Sequence, residues 1–162
     1  GDAFNGEAAT VKGLELLISG DLFSNASISF PASLTYTYID SQFDTDIANT
    51  DFFGSVSAGD PIPYIPENQM NLSIGAQNGE WSIYATVNYV DAVCVRASCG
   101  IFEETDSSTT LDLAGHYKIN DTTSVSFKLE NATDSEDILG RQPYGARPNK
   151  SQTTSIGFRI KL

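Results

Sequence analysis

The chain has 162 residues, of which 40% are hydrophobic, and its 21 acidic and 9 basic residues give a formal net charge of -12. This charge argues against nucleic acid as a partner, because few bases are available to neutralise phosphates. One His and two Cys exclude most zinc sites and most His-based catalysis, so we expect no enzyme, metal site or cofactor.

No basic and apolar leader is visible, and no run of about 20 apolar residues could form a membrane helix. The chain begins with Gly1 rather than Met, so we expect a mature product or a fragment. Apolar and polar residues instead alternate with a period of two, which predicts β-strands. In the second segment, for example, Leu34 and Tyr36 alternate with Thr35 and Thr37. The sequence predicts an antiparallel, all-β meander of about seven strands, over residues 10–19, 28–38, 70–76, 81–89, 111–119, 124–130 and 155–162.

Short and long connections alternate between the predicted strands. Short turns are expected at residues 20–25, at Asn78-Gly79 and at Asn120-Asp121, and Asn-Gly is a strong hairpin signal. Short turns at one end and long loops at the other are typical of an outer-membrane barrel, and the strands are long enough to cross a bilayer at a tilt. The long connections cover residues 41–68, 92–108 and 132–152.

Aromatic residues lie at both ends of the predicted strands. Trp81 and Tyr117 lie at the short-turn ends, whereas Tyr36, Tyr38 and Tyr89 lie toward the long loops. Two aromatic bands that flank an aliphatic belt are typical of a lipid-facing surface. A soluble β-sandwich remains the alternative, because its apolar faces alternate in the same way.

Five stretches follow one another along the chain: KGLEL at residues 12–16, LTYTYID at 34–40 with Gln42-Phe43, IPYIPENQ at 62–69, NATD at 131–134, and GARP at 145–148 with GFRIKL at 157–162. In this order they resemble motifs of the C-terminal part of TonB-dependent outer-membrane receptors, which take up iron-siderophore and related chelates. Two positions depart from the family pattern, since Ala132 replaces the usual Leu and Leu162 replaces a terminal Phe or Trp.

The resemblance implies an incomplete portion of a 22-stranded transmembrane β-barrel, because seven strands are about a third of such a barrel and an odd number cannot close one. Residues 1–162 are then the C-terminal part of the receptor barrel, with the plug domain and the N-terminal strands absent. The implied function is active uptake of a ferric siderophore, of the ferric-citrate type, or of another metal chelate across the outer membrane of a Gram-negative bacterium.

The resemblance also implies partners. These are outer-membrane lipid, the ferric chelate or siderophore, the TonB energy-transducing complex acting through the missing plug, and the barrel assembly machinery. The assembly machinery is expected to recognise the C-terminal strand as an insertion signal, through Gly157, Phe158, Ile160 and Leu162.

Cys94 and Cys99 lie in the long connection after the fourth predicted strand. With no His or third Cys nearby, a metal site is disfavoured, and at a cell surface we expect a disulfide that pins the loop. Arg96, Arg141 and Arg147 are the only arginines in the long connections. Arginine suits carboxylates and anionic chelates, so these three are candidate ligand contacts, with loop anchoring as the alternative.

The remaining polar candidates are expected to be structural. His116 alternates onto the polar face of the fifth predicted strand, which makes it a lumen-facing residue without a catalytic partner. Five carboxylates of the first long connection lack the order of a calcium-binding loop and predict a solvated acidic surface. They are Asp40, Asp44, Asp46, Asp51 and Asp60.

Two other classes of protein remain open. One is a secreted β-sandwich binding module with acidic recognition loops, and the other is a small adhesin barrel that transports nothing. Lipid exposure separates the first of these from the receptor. Leu34, Leu72, Ile83 and Val87 should face detergent in a barrel and be buried in a sandwich.

Overall fold

The computed structural model describes residues 8–25, 27–50, 54–142 and 145–161. Over these residues it contains no helix long and apolar enough to cross a membrane. The chain forms strands joined by turns and loops. In chain order the strands are β1 (Ala9–Ser24), β2 (Ser29–Phe43), β3 (Ile47–Thr50), β4 (Gly54–Val56), β5 (Asn68–Gln77), β6 (Trp81–Val90), β7 (Ser108–Lys118), β8 (Thr123–Glu130), β9 (Ile138–Gly140), β10 (Arg147–Pro148) and β11 (Thr153–Ile160).

Seven of these strands form one antiparallel sheet in the order β1-β2-β5-β6-β7-β8-β11. Each strand pairs with the next long strand along the chain, so the predicted seven-stranded meander is confirmed. The four short strands form two hairpins, β3–β4 and β9–β10, inside long loops. The sequence did not predict these hairpins, because two to four residues are too few to show a period.

The register aligns residues of one kind into rows across the sheet. One row on the face that we call the apolar face contains Ile18, Leu34, Leu72, Val87 and Leu111. The neighbouring row, one residue away on each strand, lies on the opposite face, which we call the polar face. It contains Thr35, Asn71, Asn88 and Thr110. The predicted alternation therefore continues from strand to strand and separates two chemically distinct surfaces.

Nothing among the described residues covers the apolar face. Ile83 is 56% exposed and Ile156 is 66% exposed. The two smaller sheets are two-stranded hairpins, so the second layer that a β-sandwich requires is missing from this part of the chain. The β-sandwich alternative is therefore wrong for the fold.

Each short turn is held by the side chain of an asparagine. Oδ1 of Asn25 accepts from the backbone N–H of Ile28, Oδ1 of Asn78 from that of Trp81, and Oδ1 of Asn120 from that of Thr123, over 2.8 to 2.9 Å. Asparagine favours turns because its short amide replaces a backbone acceptor. The first turn was predicted too early, at residues 20–25. Gly20 still pairs with Ala32 in the sheet, so β1 continues to Ser24.

The long connections, which we call the mouth loops, cover residues 44–67, 91–107 and 131–152 and contact one another. The backbone N–H of Tyr64 donates to the carbonyl of Cys94 at 2.9 Å, and that of Asp106 donates to the carbonyl of Ile138 at 2.9 Å. The buried core of the described chain lies at this end rather than on the sheet. It is built around Phe43, Val56 and Ala97.

Candidate functional site

A cavity of about 420 Å³ lies where the polar face meets the mouth loops. Its floor is formed by β2, β5, β6 and β7, and its roof by Leu139 and Asn149 of the third mouth loop. We call it the mouth pocket. Six of the polar side chains of its floor come from adjacent register positions: Thr35, Thr37, Gln69, Asn71, Asn88 and Thr110.

A chain of amide groups crosses the floor of the mouth pocket. Nδ2 of Asn71 donates to Oδ1 of Asn88 at 2.5 Å. Nδ2 of Asn88 lies 3.5 Å from Oγ1 of Thr110 and 3.4 Å from Oδ2 of Asp112, at the long limit of hydrogen bonding. The carboxylate of Asp112 therefore adjoins the pocket, although it does not line it.

Three of the floor side chains have no hydrogen-bond partner within the described part of the chain. Thr35, Thr37 and Gln69 make no side-chain hydrogen bond to any other residue that the structure describes, and Thr35 and Gln69 are exposed. Their hydroxyl and amide groups are available to a ligand. Each of these groups both donates and accepts, and none carries a charge.

The roof is fixed by Asn131, the first residue of the NATD stretch. Its amide nitrogen donates to the carbonyls of Ser135 and Lys150, both at 2.9 Å, and its backbone N–H donates to Oδ1 of Asp112 at 2.9 Å. Asn131 is 3% exposed and has φ of 49°, a left-handed conformation that asparagine tolerates better than most residues. Sequence reasoning used this motif only for the resemblance and did not identify Asn131 as the residue that organises the third mouth loop.

The roof also rests directly on the sheet. Oγ of Ser108, at the start of β7, donates to Oδ2 of Asp137 at 2.7 Å. The backbone N–H of Asn149 donates to the carbonyl of Asp137 at 2.8 Å. These contacts hold both sides of the third mouth loop above the pocket.

The three candidate arginines lie in the mouth loops, and none of them lines the mouth pocket. Nε of Arg96 lies 3.5 Å from Oε1 of Glu103. Arg141 donates from Nε to the carbonyl of Glu104, and Arg147 donates from Nη2 to the carbonyl of Gln142 at 2.6 Å. Each arginine thus makes a contact within the loops, and its contact with a ligand stays a prediction.

Cys94 and Cys99 are joined by a disulfide, with their Cα atoms 5.1 Å apart. The disulfide lies in a short hairpin of the second mouth loop, in which Cys94 and Glu104 form an antiparallel β-bridge. Glu103 also holds this hairpin, because its carboxylate accepts from the backbone N–H of Gly100 at 3.1 Å and from Oγ of Ser98 at 2.9 Å. These hydrogen bonds and the Arg96 guanidinium keep the pKa of Glu103 below its ordinary value. The hairpin is therefore closed both covalently and by hydrogen bonds.

The loop carboxylates act as hydrogen-bond acceptors for the first mouth loop. Asp44 accepts from Oγ1 of Thr10 at 2.8 Å, and Asp46 accepts from the backbone N–H of Ala58 at 2.8 Å. Asp60 accepts from the backbone N–H of Ser57 at 2.7 Å. Among the described residues no group of three or more His, Cys, Asp or Glu is placed to hold a metal ion.

The other predicted positions are spread over the fold. Asp40 ends a row of the apolar face opposite Lys12, and Asp51 lies outside the described residues. His116 lies on the polar face between register partners Ser82 and Ser126, away from the mouth pocket.

The proposed insertion signal lies mostly on β11, at the edge of the sheet. Phe158 and Ile160 belong to the apolar face and are 75% and 68% exposed. Gly157 immediately precedes Phe158 in the sequence and is the register partner of Ser126 on β8. Leu162 lies outside the described residues.

Comparison with protein-family models gives a match over most of the chain. Residues 2–132 match the model of a family described as TonB dependent receptor-like, beta-barrel. A search of curated proteins gave no significant match.

Three solved structures are similar in fold. They are the siderophore receptor PiuA from Acinetobacter baumannii (TM-score 0.75, 16% identity), the copper transporter OprC (TM-score 0.65, 18% identity) and the ferric yersiniabactin uptake receptor FyuA from Yersinia pestis (TM-score 0.59, 14% identity). The matches cover 94%, 94% and 93% of this chain but 22%, 24% and 30% of those chains. The chain therefore spans between a fifth and a third of the length of each protein.

Proposed function

This chain belongs to the TonB-dependent receptor-like β-barrel family, and on that premise we propose that it forms part of the wall and mouth of an outer-membrane transport receptor. The observation that carries this proposal is a single antiparallel sheet with one uncovered apolar face and one polar face. In a barrel the apolar face contacts lipid and the polar face lines the interior. The receptor belongs in the outer membrane of a Gram-negative bacterium, with residues 1–162 as the C-terminal part of its barrel.

The proposed cargo is a metal chelate, with a ferric siderophore as the first candidate. Receptors for a siderophore and for ferric yersiniabactin are similar in fold to this chain, which supports iron. A copper transporter is similar as well, which leaves other metals as an alternative. Uptake of a chelate requires binding and movement rather than a catalytic group, so we propose no enzymatic step.

The proposed partners follow from this role. Lipid surrounds the apolar face, and the TonB energy-transducing complex acts through a plug domain that these residues do not include. The barrel assembly machinery recognises β11 and the residues that follow it.

Energy-dependent uptake tests the transport role. Cells that carry the intact receptor, starved of iron, should accumulate a radiolabelled ferric chelate only while the inner membrane is energised. The panel should include an uncharged ferric trihydroxamate, the anionic ferric dicitrate and a copper chelate. Loss of accumulation on deletion of the receptor is expected. Unchanged accumulation for every chelate would contradict the proposed function.

Two neighbouring substitutions test whether the apolar face contacts lipid and the polar face lines the interior of the barrel. Ile83 lies on the apolar face, and Ser82 lies beside it on the polar face. Ile83→Lys places a charge in lipid at a cost of about 2 to 4 kcal/mol near the bilayer centre and less toward its surface. It should reduce the amount of assembled receptor, whereas Ser82→Lys should not. The opposite order would mean that the two faces are reversed.

We also propose Arg96, Arg141 and Arg147 as cationic contacts for an anionic chelate at the mouth. Arginine is the main cation of these loops in a strongly acidic chain, and each guanidinium has N–H groups beyond the one its loop contact uses. Replacing Arg141 and Arg147 by Ala should weaken binding of ferric dicitrate by the intact receptor without loss of surface expression. Unchanged affinity would assign both residues to loop structure alone.

A further inference from the structure

We propose that the mouth pocket binds an uncharged part of the transported chelate, rich in hydroxyl and amide groups; this inference rests on the proposed function and specifies its ligand. The observation behind it is the composition of the pocket. No charged side chain lines it. The polar side chains of its floor are those of Thr, Asn and Gln, with Ser108 and Tyr89, whose hydroxyls donate to the carboxylates of Asp137 and Asp91.

The register gives the floor its recognition pattern. Thr35 faces Asn71 and Thr37 faces Gln69 across the β2–β5 pair. The free hydroxyls of Thr35 and Thr37 point the same way, two residues apart on one strand, so they can contact neighbouring oxygen atoms of one ligand. The amide of Asn71 is already oriented by its hydrogen bond to Asn88. A floor that is fixed before binding loses little entropy when it captures a ligand.

An anionic group is disfavoured at this position. The carboxylate of Asp112 lies 3.4 Å from Nδ2 of Asn88, directly beside the floor. Its negative potential opposes an anion, and no cation lines the pocket to offset it. Arg141 and Arg147 bond to other loop carbonyls, so an anionic part of the same ligand would have to bind elsewhere in the mouth.

A purely apolar ligand is disfavoured as well. Burying the free groups of Thr35, Thr37 and Gln69 without partners carries an uncompensated desolvation cost for each group. A ligand that carries hydroxyl, hydroxamate or amide oxygens and N–H groups replaces the lost water hydrogen bonds. A cavity of about 420 Å³ holds a fragment of this kind, within the range typical of small-molecule sites.

The test measures binding to the intact receptor in detergent with two probes. One is an uncharged ferric trihydroxamate, and the other is the anionic ferric dicitrate. The double variant Thr35→Val, Thr37→Val removes both free hydroxyls and keeps the side-chain shape. It should weaken trihydroxamate binding about tenfold, since two hydrogen bonds to the ligand are lost, and change dicitrate binding less than twofold.

The matched control is Thr109→Val, which makes the same change on the apolar face at the same end of the sheet. It should leave both affinities unchanged. Three results would overturn the inference: no loss of trihydroxamate affinity in the double variant, an equal loss for both probes, or a wild-type receptor that binds only dicitrate. Energy-dependent uptake of dicitrate alone would overturn the inference while the transport role stands. A receptor that transports no chelate would contradict both.

Discussion

The ring of Tyr84 lies over Gly75 on the neighbouring strand. The two are register partners of β6 and β5, and a Cβ atom on Gly75 would clash with Cε1 of the ring and lie 3.0 Å from the carbonyl oxygen of Ile83. The Tyr84 hydroxyl donates to Oε1 of Gln77 at 2.6 Å, which fixes the ring in this position. The absence of a side chain at Gly75 therefore makes room for an aromatic side chain on the polar face.

Gly75→Ala should destabilise the assembled receptor by about 1 to 3 kcal/mol, because the ring and the backbone beside it must both move. Gly115→Ala is the matched control, since a Cβ atom there meets its nearest neighbours at an ordinary 3.8 Å. The thermal unfolding temperature of the intact receptor in detergent should fall for Gly75→Ala and stay within error for Gly115→Ala. Equal temperatures for the two variants would mean that the ring swings away freely.

Asp91 should make the mouth end of β5 and β6 sensitive to acid. Burial raises the pKa of its carboxyl, but hydrogen bonds from Tyr89 and Asn68 outweigh burial and hold that pKa below its ordinary value. A depressed pKa in the folded state means that the stabilisation is present at neutral pH and is lost as the pH falls through the folded-state pKa.

Asp91→Asn should therefore lower the unfolding temperature at pH 7, because the carboxylate accepts from Tyr89 at Oδ1 and from Asn68 at Oδ2, whereas an amide has only one acceptor oxygen. The difference from wild type should shrink as the pH falls below about 4, the ordinary pKa of Asp. A difference that is constant from pH 7 to pH 3 would exclude this role of the carboxylate.

Protein recovered from an oxidising compartment should contain no free thiol. Alkylation before reduction should add no mass, and alkylation after reduction should label both Cys94 and Cys99. Two thiols that label without reduction would contradict the disulfide. Replacing both by Ser should loosen only the hairpin of the second mouth loop, because the bridge spans five positions of sequence and closes a small loop.

The proposed insertion signal on β11 and at Leu162 should control assembly of the receptor. Phe158 and Ile160 present apolar side chains at the free edge of the sheet, where an assembly factor could bind them. Deleting Leu162 or replacing it by Asp should reduce the amount of receptor inserted in the outer membrane, while Lys161→Gln, one position earlier, should not. Normal insertion of both Leu162 variants would refute the proposed signal.

Expressed alone, residues 1–162 should aggregate in water or require detergent. β1 and β11 end the sheet with unpaired edges, and exposed apolar side chains such as Leu14 (61%) and Phe158 (75%) cover one face. Analytical sedimentation in plain buffer should reveal polydisperse material. A sharp monomer with cooperative thermal unfolding would show that this segment folds without lipid or partner strands.

The sheet could be predicted from the sequence because its signal is local. Alternation fixes which side chains share a face, and Asn78-Gly79 marks a hairpin without knowledge of the fold. The turn after β1 was misplaced because Gly20 and Asp21 look like turn residues, whereas pairing with Ala32 and Pro31 keeps them in the strand.

The mouth pocket could not be predicted in the same way. Thr37 and Gln69 are 32 positions apart, and they become neighbours only through the β2–β5 register. The role of Asn131 depends on contacts to Lys150 and Asp112, 19 positions away in either direction. The sequence therefore predicted the arginines as ligand contacts, because their charge stands out in an acidic chain. The Thr, Asn and Gln residues of the pocket have no such distinguishing property when each is considered alone.

The buried core around Phe43, Val56 and Ala97 lies at the mouth end of the sheet, whereas the apolar face of the sheet is exposed and would contact lipid in the proposed barrel. The molecule thus has two parts that are stabilised by different surroundings. The mouth is stabilised by burial from water, and the apolar face of the sheet by contact with lipid or detergent. Urea should unfold the mouth first, because its cohesion comes from water-driven burial, whereas exchanging one detergent for another should disturb the wall and leave the mouth intact. Phe43→Ala should separate the response to urea from the response to detergent, because it removes a core side chain of the mouth and leaves the apolar face of the sheet unchanged.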